Sequence, residues 1–267
     1  MRSTKRFIVS ADDFAFNAAV DDGILALVEA GLVTATSCLT ASPRWPVAAR
    51  RINSAVRARA DIGVHLDLTE FEHPAPNHAS LVLACYTRSV DRGTLRAMIR
   101  TQLQRFEDQL ADPPDYIDGH RHVHQLPVVR DVLLELLAER YPRRLPWVRV
   151  SRAGAGAGWK GQLVTWLGAD GLSARCHVAG VSTNPRLLGF YDFKGDSEGY
   201  RRRLAAWVAA AEDRDVLMCH PAARIAEADP IASARRAEFE AMCTPWWRAC
   251  LDAHLVTLCR GAACKLT

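Results

Sequence analysis

The chain has 267 residues, 49% of them apolar, and carries 34 Lys and Arg against 30 Asp and Glu for a net charge of +4. That composition supplies one large core and excludes a disordered or collagen-like chain. The near balance of charge, without a lysine-rich tract, gives no field of the kind that holds nucleic acid. The pairs Arg50-Arg51, Arg143-Arg144 and Arg235-Arg236 and the run 201–203 are scattered and read as solvated helix faces.

No apolar run approaches the roughly 18 residues of a membrane span, and the apolar run near the N-terminus is too short for a signal peptide, so a cytoplasmic protein is expected. The eight cysteines show no CxxC spacing and read as buried reduced thiols rather than a zinc or redox motif.

In chain order, residues 6–11 (RFIVSA) read as a strand and 17–30 as a helix closed by Gly31. Residues 34–40 form the next strand, 46–59 a helix and 61–68 (DIGVHLDL) a strand. Residues 70–92 read as a long loop at a substrate cleft. Then come a helix over 94–110, a strand over 115–118, a helix over 126–139 and a strand over 146–150 that leads into the glycine-rich stretch 154–158. A helix over 199–211, a strand over 216–219 and a helix over 232–253 complete the chain. Repeated strand-helix units wound right-handed give either a β/α barrel or an open doubly wound sheet. The expectation is α/β: a distorted or incomplete (β/α) barrel, with residues 1–267 as a single domain.

Polar residues gather at the strand ends, where such folds build their sites. Asp12-Asp13 follow the first strand. One aspartate there is commonly a helix cap, whereas two adjacent carboxylates repel and are relieved by a cation. His65 lies near the end of the third strand, with His65 and Asp67 on the face opposite Val64, Leu66 and Leu68. Asp118-Gly119-His120-Arg121-His122-Val123-His124 places three histidines within five residues after another strand, a concentration that points to a metal. His220 ends the apolar strand VLMCHP, ahead of a proline that stops the ladder. Imidazole with carboxylate suits zinc and its neighbours and extends to magnesium or manganese as oxygen ligands increase.

Four blocks in order, IVSADDF with GILALVEAGLVTATS, IGVHLDLT, YIDGHRHVHQLP and VLMCHP, resemble the YdjC-like carbohydrate deacetylases, a family that includes chitooligosaccharide deacetylases and hopanoid-associated members. The resemblance implies a distorted β/α barrel, one divalent metal ion (Mg or Zn), an N-acetylated sugar or oligosaccharide as substrate, and a homodimer. Carried over by position, it implies Asp13, His65 and His120 as metal ligands and Asp12 as catalytic base. His220 becomes the acid or oxyanion partner, with Asp118, His124, Asp67 and Phe14 near the substrate or behind the ligands. Two positions depart from the family pattern: Ala15 stands where glycine is usual, and Asp67 where asparagine is common. Trp159, Trp166, Trp246, Trp247, Phe14 and Tyr191 are candidates for stacking on a sugar, although the core is the ordinary place for such side chains.

Three other readings are weaker. The stretch Gly156-Ala157-Gly158-Trp159-Lys160-Gly161 fits a dinucleotide fingerprint but has no acidic residue some 20 positions on. A catalytically silent metal- or sugar-binding protein would keep the ligands but lack the base, and the retention of both Asp12 and His220 speaks against it. A phosphoester hydrolase would ordinarily use more carboxylates and paired metals.

Overall fold

The computed structural model describes residues 4–72, 77–154, 157–264 and 266. Eight strands form one sheet: β1 (Lys5–Phe14), β2 (Ala35–Cys38), β3 (Asp61–Leu66), β4 (Tyr116–Gly119), β5 (Trp147–Val148), β6 (Leu187–Leu188), β7 (Asp215–Cys219) and β8 (Val256–Leu258). Their order is β5-β4-β3-β2-β1-β7-β6, with β8 beside the start of β1, and every pair is parallel. The sheet curls, and among the described residues the isolated bridges Val148–Thr183 and Ala153–Leu187 are what spans the gap between β5 and β6. It is a distorted, incomplete (β/α) barrel.

Side-chain alternation sorts the strands into an outer apolar face and an inner face that changes character along its length. On β1, Phe7, Val9 and Ala11 join the large core beneath the helices, while Ile8 belongs to a second, smaller cluster with Tyr116, Trp147, Leu187 and Val216. Tyr116 and Trp147 stack at 4.4 Å. Further along the same faces stand Ser10 and Asp12 on β1, Asp118 on β4, and His220 just beyond β7. The interior is therefore plugged with hydrocarbon at the N-terminal end of the strands and polar at the C-terminal end. Gly63 permits this packing, because a Cβ there would lie 2.6 Å from the Tyr116 ring.

Register carries the site residues to one level. His65 pairs with Asp118 across β3 and β4, and Ala11 pairs with Cys219 across β1 and β7, so Asp12 and His220 leave the sheet together.

The expected elements differ from the observed ones where local signals are weak. The two-residue β6 and three-residue β8 are too short to carry a period. Residues 46–59 divide into helices Trp45–Ala49 and Ser54–Arg59, the second capped by the Asn53 side chain. Residues 232–253 divide into Ala232–Met242 and Pro245–Ala253, because Pro245 has no N–H to continue a helix and instead starts one. The expected loop 70–92 contains the helix His78–Tyr86, capped by Asn77. After the glycine stretch, of which residues 155 and 156 lie outside the described residues, come helices Gly158–Trp166 and Ala169–Ala179.

The cysteine expectation also needs correction: Cys259 and Cys264 form a disulfide and Cys243 is exposed, while the other five are buried free thiols. Among the described residues no helix is long and apolar enough to cross a membrane.

Ala15 sits at φ 75°, left-handed backbone that suits glycine and strains a residue with a Cβ. Ala15→Gly is expected to stabilise the fold by about 0.5–1 kcal/mol, with the melting temperature rising by roughly 2 °C. A fall in melting temperature would show that the buried methyl group contributes more than the strain costs.

Candidate active site

Adjacent residues of a regular strand point to opposite faces, yet Asp12 and Asp13 line the same cavity. The register on β2 slips between Ala11 and Phe14, and Asp13 takes φ 70°, which turns its side chain to join that of Asp12. The turn is held from behind: Ala15 N donates to Asp21 Oδ1 at 2.7 Å, and Ser42 Oγ donates to Ala15 O at 2.7 Å.

Asp13 Oδ1 lies 3.3 Å from His65 Nε2 and 3.1 Å from His120 Nδ1. One ligand atom from each of the three residues falls within 4.8 Å of the others. Tetrahedral coordination with bonds near ~2.1 Å places donor atoms about 3.4 Å apart, so the spacing fits one small cation. The surrounding bonds hold the three side chains in place. His65 Nδ1 donates to Asp118 Oδ1 at 2.6 Å, which fixes the ring with Nε2 facing Asp13. Asp118 is fixed in turn by Ser37 Oγ, which donates to Oδ2 at 3.0 Å. Arg235 holds the other Asp13 oxygen at 2.7 Å and also pairs with Asp229. Burial pushes the Asp13 carboxyl up, but Arg235 and the two imidazoles outweigh it and hold the group well below the usual carboxylate range.

A second cluster, Asp12, His65 and Asp118, also has ligand spacing. It already has a cation. The fully buried Arg149 donates to both Asp12 oxygens at 2.6 Å, reaches Asp118 Oδ2 at 3.0 Å and Ser10 Oγ at 3.1 Å. Burial alone would raise the Asp12 carboxyl, and the Arg149 guanidinium overrides it, setting the group at about 2. Burial likewise pushes His65 down, but the charge of Asp118 lifts it to about 10. The ring therefore carries positive charge where a metal would otherwise supply it. All three members of the cluster Asp13, His65 and His120 line the cavity, whereas Asp118 of the other cluster does not, and Arg235 takes only the Asp13 oxygen turned away from the two imidazoles.

His220 Nε2 lies 3.8 Å from Asp12 Oδ2, and its ring meets Phe193 edge-on at 5.1 Å. Behind it stands the buried Glu238. The His220 backbone N and the Tyr191 hydroxyl each donate to Glu238 at 2.5 Å, and the imidazole Nδ1 faces it at 3.9 Å. Burial keeps the Glu238 carboxyl above its usual value. The cavity measures about 350 Å³; its walls include Phe16, Phe190, Phe193, Met218 and Ile231, with Glu70, Arg121, Lys160, Asp229 and Arg235 as charged groups besides the two aspartates.

The three histidines of the cluster turn three ways, because Arg121 and His122 take left-handed φ of 50° and 60° inside the short 3-10 helix His120–Gln125. His120 faces Asp13. His122 Nδ1 lies 2.9 Å from Ser151 Oγ, and burial with the Arg149 charge keeps its ring neutral. His124 is buried and donates from Nε2 to the Arg149 carbonyl at 2.7 Å, with burial lowering its pKa to about 4. It supports the backbone that carries Arg149 without lining the cavity. Gly119 makes room for it, since a Cβ would sit 2.8 Å from His124 Nδ1.

Two further residues carried over from the family pattern lie outside the cavity. The Asp67 carboxylate accepts from the backbone N–H groups of Thr69, Glu70 and Phe71, which caps the loop. Phe14 is wholly buried in the core, and Phe16 lines the cavity instead. Of the aromatic candidates for stacking, Tyr191 lines the cavity and Trp247 is core.

Sequence reasoning passed over Arg149, Arg235 and Glu238. Arg149 had a signal, a lone charge within the apolar run PWVRV. Arg235 had none that separates it from its neighbour: the pair 235–236 reads as a solvated face, but only Arg236 is at the surface, paired with Glu240, while Arg235 is buried against Asp13.

Comparison with known proteins agrees with this architecture. A carbohydrate deacetylase of Homo sapiens is 31% identical over 193 residues, 66% of this chain and 56% of that one. A chitooligosaccharide deacetylase of Klebsiella pneumoniae (strain 342) is 25% identical over 224 residues, 80% of this chain and 81% of that one. The match thus spans little more than half the length of the human relative. Among solved structures, an Enterococcus faecalis V583 protein with a provisional cellobiose-phosphate cleavage assignment superposes with a TM-score of 0.70 at 23% identity, covering 98% of this chain and 99% of that one, which is a likeness of fold. The family model described as YdjC-like protein matches residues 6–253, and the chain belongs to that family.

Proposed function

We propose that the protein is a metal-dependent deacetylase that hydrolyses the amide of an N-acetylated sugar. The observation that carries this reading is the convergence of one ligand atom each from Asp13, His65 and His120 to within 4.8 Å of one another on the wall of a cavity, with Asp12 and His220 alongside. The printed activities of the relatives, carbohydrate and chitooligosaccharide deacetylase, point the same way.

When bound there, a divalent cation supplies Lewis-acid polarisation to the amide carbonyl and to the attacking water. The donor set of two imidazoles and one carboxylate suits zinc, and magnesium is the alternative with more oxygen ligands. Arg149 keeps Asp12 ionised and fixes its orientation, so Asp12 accepts the proton of the attacking water. His220, 3.8 Å from Asp12, delivers a proton to the departing amine, and Glu238 behind it holds the strand end in place. No side chain needs to form a covalent intermediate.

A phosphoester hydrolase built on paired metals would need a second cation at Asp12, His65 and Asp118, and the Arg149 guanidinium stands there instead.

Acetate release from N-acetylglucosamine oligomers tests the reading. Chelation is expected to abolish it and added zinc or magnesium to restore it, whereas turnover indifferent to chelator would sink the proposal. Asp12→Asn and His220→Ala are each expected to lower kcat by about 10²- to 10⁴-fold, with the metal still bound by direct analysis. Arg149→Met leaves two buried carboxylates without their cation and is expected to destabilise the fold by about 3–5 kcal/mol in denaturant titration. Arg149→Lys is expected to fold but to lose activity, because a point charge cannot grip both Asp12 oxygens.

A further inference from the structure

The helix Gly158–Trp166 has two faces that do different things. Lys160 and Val164, one turn apart, line the cavity. On the neighbouring face Trp159, Leu163 and Trp166 follow the i, i+4, i+7 spacing of a single stripe, and all three are exposed, the two tryptophans by 72% and 76%. Tryptophan is the side chain with most to gain from burial, so two of them left in water on one helix face call for a partner. One end of the stripe touches the cavity-lining Lys160 and the other the helix His78–Tyr86. Lys160 Nζ lies 5.8 Å from the centre of the Trp159 ring, and the Tyr86 hydroxyl donates to the Trp166 carbonyl at 3.3 Å.

We propose that this stripe is an accessory carbohydrate platform, on which the distal units of an N-acetylated oligosaccharide stack while the unit being deacetylated occupies the cavity. The proposal rests on the sugar-deacetylase reading and extends it from a substrate class to a preferred length. Seven residues of helix separate the two indoles by about 10 Å along the axis, close to the length of one disaccharide of extended β-linked hexoses. The apolar faces of such sugars match indole rings, and the exposed Gln162 between them offers the uncharged donors and acceptors that hydroxyl groups bond.

A second copy of the chain fits less well. Even with Leu83 and Tyr86 of the adjoining helix His78–Tyr86 added, the patch is five side chains, against roughly 20–30 residues a side in a stable protein interface.

The experiment compares wild type with Trp159→Ala, Trp166→Ala and the double variant on N-acetylglucosamine dimer and pentamer, following acetate release, pentamer affinity by calorimetry and molar mass by sedimentation. Both tryptophans are exposed and outside the metal and acid-base groups, so the dimer reaction is expected to change less than about twofold. The gain in kcat/KM and in affinity on passing to pentamer is expected to fall about tenfold in the double variant, with Trp166→Tyr restoring most of it. Pentamer affinity and turnover unchanged in the double variant would overturn the platform, as would a wild-type dimer that becomes a monomer when the tryptophans are removed. If no oligomer yields acetate, the deacetylase reading fails, and calorimetry still decides the platform by itself.

Discussion

A guanidinium buried at the centre of the barrel is the constraint on which the site depends. Arg149 holds Asp12 by both oxygens and Asp118 by one, and through them it fixes the water-facing carboxylate and the His65 tautomer. Three buried aspartates, Asp12, Asp13 and Asp118, would repel one another strongly in so dry a place. Arg149 answers Asp12 and Asp118, Arg235 answers one oxygen of Asp13, and the other Asp13 oxygen faces the imidazoles of His65 and His120. That last group is where the proposed metal position lies.

This arrangement explains how one run of sequence can contain histidines with separate duties. His120 faces the metal position, His122 borders the cavity as a neutral ring, and His124 is buried beneath Arg149 as a hydrogen-bond strut. A left-handed turn at Arg121 and His122 separates them. Similarly, a bulge with a left-handed Asp13 lets neighbouring aspartates face the same space, one proposed as ligand and one as base.

The strands that build the site were legible because each is an apolar run ending in a polar residue: β1 before Asp12, β3 around His65, β4 before His120 and β7 before His220. The placement of Asp118 behind His65 follows from register between β3 and β4, which local sequence does not state. Arg149 was hidden because a charge inside a short strand looks like an edge position until its partners from β1 and β4 are brought to it. Arg235 and Glu238 were hidden because a helix shows its buried polar residues only by what it packs on, and Arg235 beside Arg236 looks like solvated surface. The helix His78–Tyr86 escaped because its apolar residues make a poor stripe, with Leu83 and Tyr86 left exposed.

The most direct test of the central claim is a crystal structure with zinc, read by anomalous scattering at the metal edge. The expected result is one ion bonded to Asp13 Oδ1, His65 Nε2 and His120 Nδ1 at about 2.0–2.2 Å, with Arg149 still between Asp12 and Asp118. An ion bound elsewhere, or one that displaces Arg149 from Asp12, would contradict it.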